Sequence, residues 1–126
     1  MNPQAQQHLC RARELLEVAQ HVLAYPADSI SRSYYAVFHA ATGALLGIDI
    51  DRSSHHGVWA AFGEFLVAPG LIDAQHHRSG LRLFRARSRS DYLAIPEDTP
   101  EDAQQALSAA RDFVAACQVF LETRGT

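Results

Sequence analysis

No lysine occurs anywhere in the chain, and all eleven basic residues are arginines. Genome base composition alone can produce that bias, although the planar guanidinium fork also suits bidentate contact with phosphate. Positive charge is scarce overall: fourteen acidic residues leave a formal net charge of −3. That balance excludes a protein that coats nucleic acid indiscriminately, so any contact with nucleic acid must be local. There are two cysteines, Cys10 and Cys117, set among apolar neighbours in the first and last predicted helices without metal or redox spacing. Both are expected to be buried small hydrophobes. No apolar run approaches the roughly 18 residues of a membrane span, and the first residues lack the basic-then-apolar pattern of a signal sequence. A cytoplasmic protein without membrane contact is expected. Phosphate-loop, Rossmann and G-x-S-x-G patterns are absent, and neither cysteine has a neighbour that would mark it as a nucleophile.

What the chain does have is helical periodicity. Its 126 residues are 48% hydrophobic, enough for one compact domain over residues 1–126 whose core needs neither disulfide nor metal. Leu9, Ala12, Leu16, Ala19 and Leu23 recur at helical spacing and predict a first helix from Gln4 to about Ala24. Tyr25-Pro26 breaks it, and Asp28 or Ser29 is placed to cap a second helix running to Gly47. The polar stretch from Gly47 to Ser54 reads as a loop. Ser53 or Ser54 then caps a third helix, whose apolar face is Val58, Phe62, Phe65 and Leu66 and which ends at Ala68-Pro69-Gly70. A fourth helix is expected from about Leu71 to the region of Arg87, and a fifth from Thr99-Pro100-Glu101-Asp102, a strong helix start. With no strand pattern, repeat or low-complexity segment, the expected class is all-α, an up-and-down bundle of four to five helices.

Charges on the fourth helix divide by angle. Arg78, Arg82, Arg85 and Arg89 share one stripe that can meet phosphate or simply face solvent, whereas Arg87 falls on the opposite side with Asp91 one turn on. The Arg87–Asp91 pair is read as a structural ion pair anchoring the helix end. Seven histidines raise the question of a metal, but the pairs His55-His56 and His76-His77 point about 100° apart, unlike helical metal ligands. No metal and no cofactor is expected.

The one constellation with chemical promise lies on the second helix. Arg32 and His39 stand seven positions apart, so they lie about 20° apart around the axis and about 10.5 Å along it. Tyr35 sits between them on nearly the same stripe, while Ile30, Tyr34, Val37, Ala41 and Leu45 supply apolar surface. An imidazole can move a proton near neutral pH, and a guanidinium can stabilise charge on a phosphoryl oxygen. Those abilities are sufficient in principle for metal-independent RNA cleavage by the 2′-hydroxyl. The same residues can equally serve as hydrogen-bonded groups of a bundle or an interface.

The string Ser31-Arg32-Ser33-Tyr34-Tyr35-Ala36-Val37-Phe38-His39-Ala40-Ala41 resembles the second helix of HEPN domains (higher eukaryotes and prokaryotes nucleotide-binding), in the branch that reads R-x-YYA-x-FHAA. His55-His56-Gly57-Val58 is similar to its H-x-G-V segment, and Arg87 to Tyr92 to its R-x-x-x-DY segment. The resemblance extends over roughly residues 9 to 121. It implies a HEPN-like bundle and a toxin of a toxin–antitoxin module. Arg32 and His39 would be the catalytic pair of a metal-independent endoribonuclease formed at a homodimer interface. A minimal nucleotidyltransferase would be the antitoxin and RNA the substrate. Tyr35, His55, Arg78, Arg82 and Arg85 are candidates for supporting or substrate-binding roles. One branch carries a modifiable tyrosine two positions after the histidine; here that position is Ala41, so silencing by that route is not implied. The alternative is a non-catalytic module that binds a nucleotidyltransferase and helps hold its nucleotide or substrate. For the dimer, second helices are expected to pack antiparallel near Tyr35 and the small Ala36, setting Arg32 of one copy against His39 of the other.

Overall fold

The computed structural model describes residues 1–124, and all the regular structure among them is helical. The elements are α1 (Pro3–His21), α2 (Pro26–Leu46), α3 (His55–Phe62) continued by a π-helical turn (Gly63–Val67), α4 (Ala74–Tyr92) and α5 (Pro100–Arg124). This is the expected all-α bundle, with five helices among the described residues.

Several helix ends differ from the sequence reading. α1 stops at His21 rather than near Ala24, because Pro26 keeps Tyr25 out of the helical region (φ −118°, ψ 81°) and the chain must turn before it. α2 begins at Pro26, ahead of Asp28, with no side-chain cap. Proline is preorganised for that first position, where its missing N–H is of no consequence. Ser29 is therefore not a cap: its hydroxyl donates to the Ala19 carbonyl at 2.8 Å and ties α2 to α1. α4 starts three residues later than Leu71. The N–H groups of Leu71 and Ile72 instead return to the Leu66 carbonyl, and Asp73 caps the helix by accepting from Gln75 N–H at 2.8 Å. α4 also continues past Arg87 to Tyr92. Two starts follow the sequence as expected. Ser54 accepts from Gly57 N–H at 2.9 Å, and Thr99 and Asp102 bond each other's backbone N–H reciprocally at 3.1 and 3.0 Å.

α2 is the central element, packed on α1, α3, α4 and α5. Ala36, Val37, Ala40, Ala41 and Ala44 are fully buried. α1 and α2 form an antiparallel hairpin that closes tightly at Gly43, where an added Cβ would lie 3.2 Å from both the Ala5 carbonyl oxygen and His8 Cβ. Two expectations change here. Ala36 faces the interior of its own bundle, so it cannot be the point at which two α2 helices approach. Cys117 is buried as expected, but Cys10 is exposed on the outer side of α1.

Around Tyr34, Trp59, Phe62 and Phe113 the core is largely aromatic, with ring centroids 5.3 to 6.4 Å apart. No helix among the described residues is long and apolar enough to cross a membrane.

Candidate functional site

With four helices covering it, α2 keeps only a narrow stripe near the surface, and that stripe carries Arg32, Tyr35 and His39, all half-buried. Together with Arg11 and Leu15 of α1 they line a shallow depression of about 200 Å³. The guanidinium carbon of Arg32 lies over the Tyr35 ring, 5.4 Å from its centre, and Nη2 donates to Ser31 Oγ at 3.5 Å. Tyr35 is held from behind by Arg87, whose Nη2 donates to its hydroxyl at 2.5 Å and whose guanidinium carbon lies 5.2 Å from the ring centre. Arg87 Nε stands 3.1 Å from Asp91 Oδ2, close enough for charge pairing although not aligned as a hydrogen bond. Arg87 thus links the end of α4 to the wall of the depression as well as to Asp91.

His39 makes a contact that its own helix does not foretell. Its Nδ1 lies 2.9 Å from Nδ1 of His8 on α1, with the two rings 5.2 Å apart. Burial pushes the pKa of His39 below the usual imidazole value, and the positive charges of His8 and Arg11 push in the same direction. Burial also lowers His8, while Asp51 opposes the shift. Both rings are therefore neutral at physiological pH.

His55 is placed elsewhere. Its Nδ1 lies 2.6 Å from the Tyr34 hydroxyl, and its ring stacks on Phe38 at 4.4 Å and on Phe84 at 5.4 Å. Trp59 Nε1 donates to the same hydroxyl at 3.2 Å. Desolvation raises the Tyr34 hydroxyl to about 12, so it keeps its proton and donates it to His55 Nδ1, which leaves the His55 proton on Nε2. Burial lowers the pKa of His55, with Arg87 and His56 adding to the effect. This three-residue chain ties the site's second layer into the core, and His55 does not border the depression.

Nor do the α4 arginines. Arg78, Arg82 and Arg85 are exposed and none lines the depression. Arg82 and Arg89 border a separate cleft of about 210 Å³ shared with Asp98 and Asp102, whose carboxylates offset their charge. A larger groove of about 810 Å³, walled by Leu71, Ile72, Val119 and Phe120, contains none of the α2 residues. The small depression is preferred as the site because it gathers two guanidinium groups, an imidazole and a phenol, whereas the larger groove is mainly apolar. Among the described residues, no three of His, Cys, Asp and Glu converge as metal ligands do.

His8 and Arg11 escaped the sequence reading. They lie on one side of α1, with Leu15 a turn further on, and reach Arg32 and His39 only through the antiparallel register of the hairpin. Gly43, the close-approach residue near the end of α2, was the available signal for that register. Chemically, the depression offers cations for a phosphate, an aromatic ring beside it and one imidazole able to exchange a proton.

Known proteins resemble this chain in sequence and, in one case, in fold. The family model of the HEPN domain matches residues 3–120. A UPF0332 protein of Gloeobacter violaceus is 34% identical over 125 residues, covering 96% of this chain and 98% of that protein. A protein of Methanocaldococcus jannaschii that carries the provisional name of a toxin is 32% identical over 87 residues, 69% of this chain and 64% of its own length. The crystal structure of a Thermus thermophilus protein is similar in fold, with a TM-score of 0.70 at 21% identity over 98% of this chain and 99% of that one. A family match over nearly the whole chain and a full-length relative agree: this chain belongs to the HEPN domain family.

Proposed function

We propose that this chain is the toxin of a toxin–antitoxin module, a metal-independent endoribonuclease that works as a homodimer. A minimal nucleotidyltransferase is its proposed antitoxin and RNA its substrate. The observation that carries this reading is the gathering of Arg32, Tyr35, His39 and Arg11 around one depression. The toxin name of the M. jannaschii relative supports the biological role.

In the proposed reaction the RNA phosphate sits between the Arg11 guanidinium beside His39 and the Arg32 guanidinium that a second copy would set opposite, and these offset the charge that builds on its oxygens. His39, neutral at physiological pH, accepts the proton of the 2′-hydroxyl as that oxygen attacks phosphorus. The bond from phosphorus to the 5′-oxygen breaks, leaving a 2′,3′-cyclic phosphate, and the departing oxygen takes a proton from solvent. Tyr35 offers its ring to a flanking base. Aromatic stacking is tolerant of base identity, so a preference for unpaired RNA is expected.

The test is cleavage of single-stranded RNA by the purified chain in excess chelator. Arg32→Ala and His39→Ala should each lower the rate per folded molecule about a hundredfold or more, with His39→Ala melting a little below the parent because His8 loses its partner. Undiminished cleavage by either folded variant would remove that residue from the site. A parent that binds a nucleotidyltransferase but leaves RNA intact would instead establish the non-catalytic reading.

A further inference from the structure

His39 meets another histidine at hydrogen-bond distance, and the geometry constrains where the proton lies. Two imidazole nitrogens 2.9 Å apart form a hydrogen bond only when one carries the proton and the other offers a lone pair. His8 and His39 therefore share one proton between their Nδ1 atoms, which leaves Nε2 as the only nitrogen of His39 free to meet a bound molecule. We propose that His8 is the positioning residue of His39: it holds the ring against α1, occupies Nδ1 and directs Nε2 chemistry toward the depression. The proposal rests on the ribonuclease reading for its consequence in catalysis, but the pairing itself does not.

The surroundings say how the pair responds to protons. Arg11 approaches from α1, Arg32 and Tyr35 border the same depression from α2, and Asp51 acts on His8 from the loop after α2. α3 contributes His55, which stacks on Phe38 next to His39 in sequence. At neutral pH the pair is uncharged and bonded. When both rings are protonated each Nδ1 becomes a donor, the bond cannot persist, and like charges repel beside Arg11. The two rings then titrate as a coupled pair rather than as independent groups. His39 is released from its fixed orientation at the pH where the second proton binds.

Two substitutions separate positioning from bulk. His8→Leu removes the hydrogen bond and keeps an apolar side chain on α1, whereas His8→Asn keeps a polar group close to where Nδ1 lies and carries no charge. In the parent, histidine ring resonances followed by NMR should show His8 and His39 titrating together. In His8→Leu, His39 should titrate alone and at higher pH, since a neighbouring positive charge has gone. RNA cleavage by His8→Leu should fall at least about tenfold, with its acid limb displaced to higher pH, and His8→Asn should recover most of the rate. Unchanged titration of His39 in folded His8→Leu would overturn the pairing, and parental cleavage by that variant would overturn the positioning role. If the parent cleaves no RNA, the ribonuclease reading fails by itself and the NMR titration still decides whether His8 governs His39.

Discussion

At Tyr34 the hydroxyl accepts from Trp59 Nε1 and donates to His55 Nδ1. Tyr34→Phe removes one oxygen and leaves the indole N–H in the core with no partner, so a loss of about 1–3 kcal/mol is expected in denaturant unfolding. An unchanged midpoint would mean that water replaces the hydroxyl. Three histidines, His8, His39 and His55, have pKa values lowered below the ordinary 6.5, mainly by burial. The unfolded chain binds their protons more readily than the folded one, so stability rises with pH wherever the unfolded state holds the excess. It is fully present above about 6.5 and declines as pH falls below that value, levelling off under the lowered folded values. Thermal melts should accordingly drop between pH 7.5 and pH 5, and the drop should shrink in His8→Asn. Asp102 acts in a different window: its carboxylate is held below its ordinary value by the Thr99 cap, so its contribution is lost only when pH falls below 3.8. A melt that rises on acidification through the histidine window would contradict the burial of these rings.

Helix packing sets the next scale. Gly80 on α4 lies against the six-membered ring of Trp59, and an added Cβ would fall inside contact distance of Trp59 Cη2 and Cζ3. That indole cannot easily yield, since its N–H is bonded to Tyr34 and its residue's carbonyl to His77 at 3.0 Å. Gly80→Ala should therefore destabilise by about 1–3 kcal/mol through overpacking, although alanine favours helix by about 1 kcal/mol over glycine. Greater stability would show that α4 can slide away from α3. Arg87→Ala tests how α4 is tied to α2, since it removes both the donor to Tyr35 and the partner of Asp91. The expected loss is about 1–2 kcal/mol, with cleavage per folded molecule changed much less. Loss of cleavage with an unchanged melting temperature would place Arg87 in the reaction itself. These ties also explain what could be read without coordinates. Arg32, Tyr35 and His39 were legible because one helix spaces them at a known angle, and Ser54 and Thr99 because a cap is a local pattern. His8, Arg11 and the Tyr34–His55 contact depend on the register of separate helices, which no local pattern states. The start of α4 was misplaced because Leu71 and Ile72 look like helix but complete the π-helical turn.

For the whole molecule, the proposed ribonuclease has two possible arrangements of Arg32 and His39, within one chain or across a dimer. In one chain Tyr35 stands between them, and Arg32 already lies over its ring. A two-fold axis passing near Tyr35 would set Arg32 of one copy opposite His39 of the other, because the pair is nearly symmetric about that position. In the proposed dimer the burial of Ala36 changes the form of this contact: the helices would meet through the Arg32, Tyr35 and His39 side chains, not through close backbone approach. We expect sedimentation at micromolar concentration to give a dimer and each pair to form in trans. Arg32→Ala and His39→Ala homodimers would then both be inactive. A mixed dimer of the two would hold one complete pair and one site lacking both groups, and should recover about half the parental rate. If the pair instead works within a chain, each protomer of the mixed dimer has a broken site and the species stays inactive. Co-expression of the two variants with different tags, purification of the mixed species through both and assay on single-stranded RNA distinguishes these outcomes. Inactivity of a mixed dimer verified by mass would overturn pairing in trans, and a clean monomer in sedimentation would remove the composite site altogether.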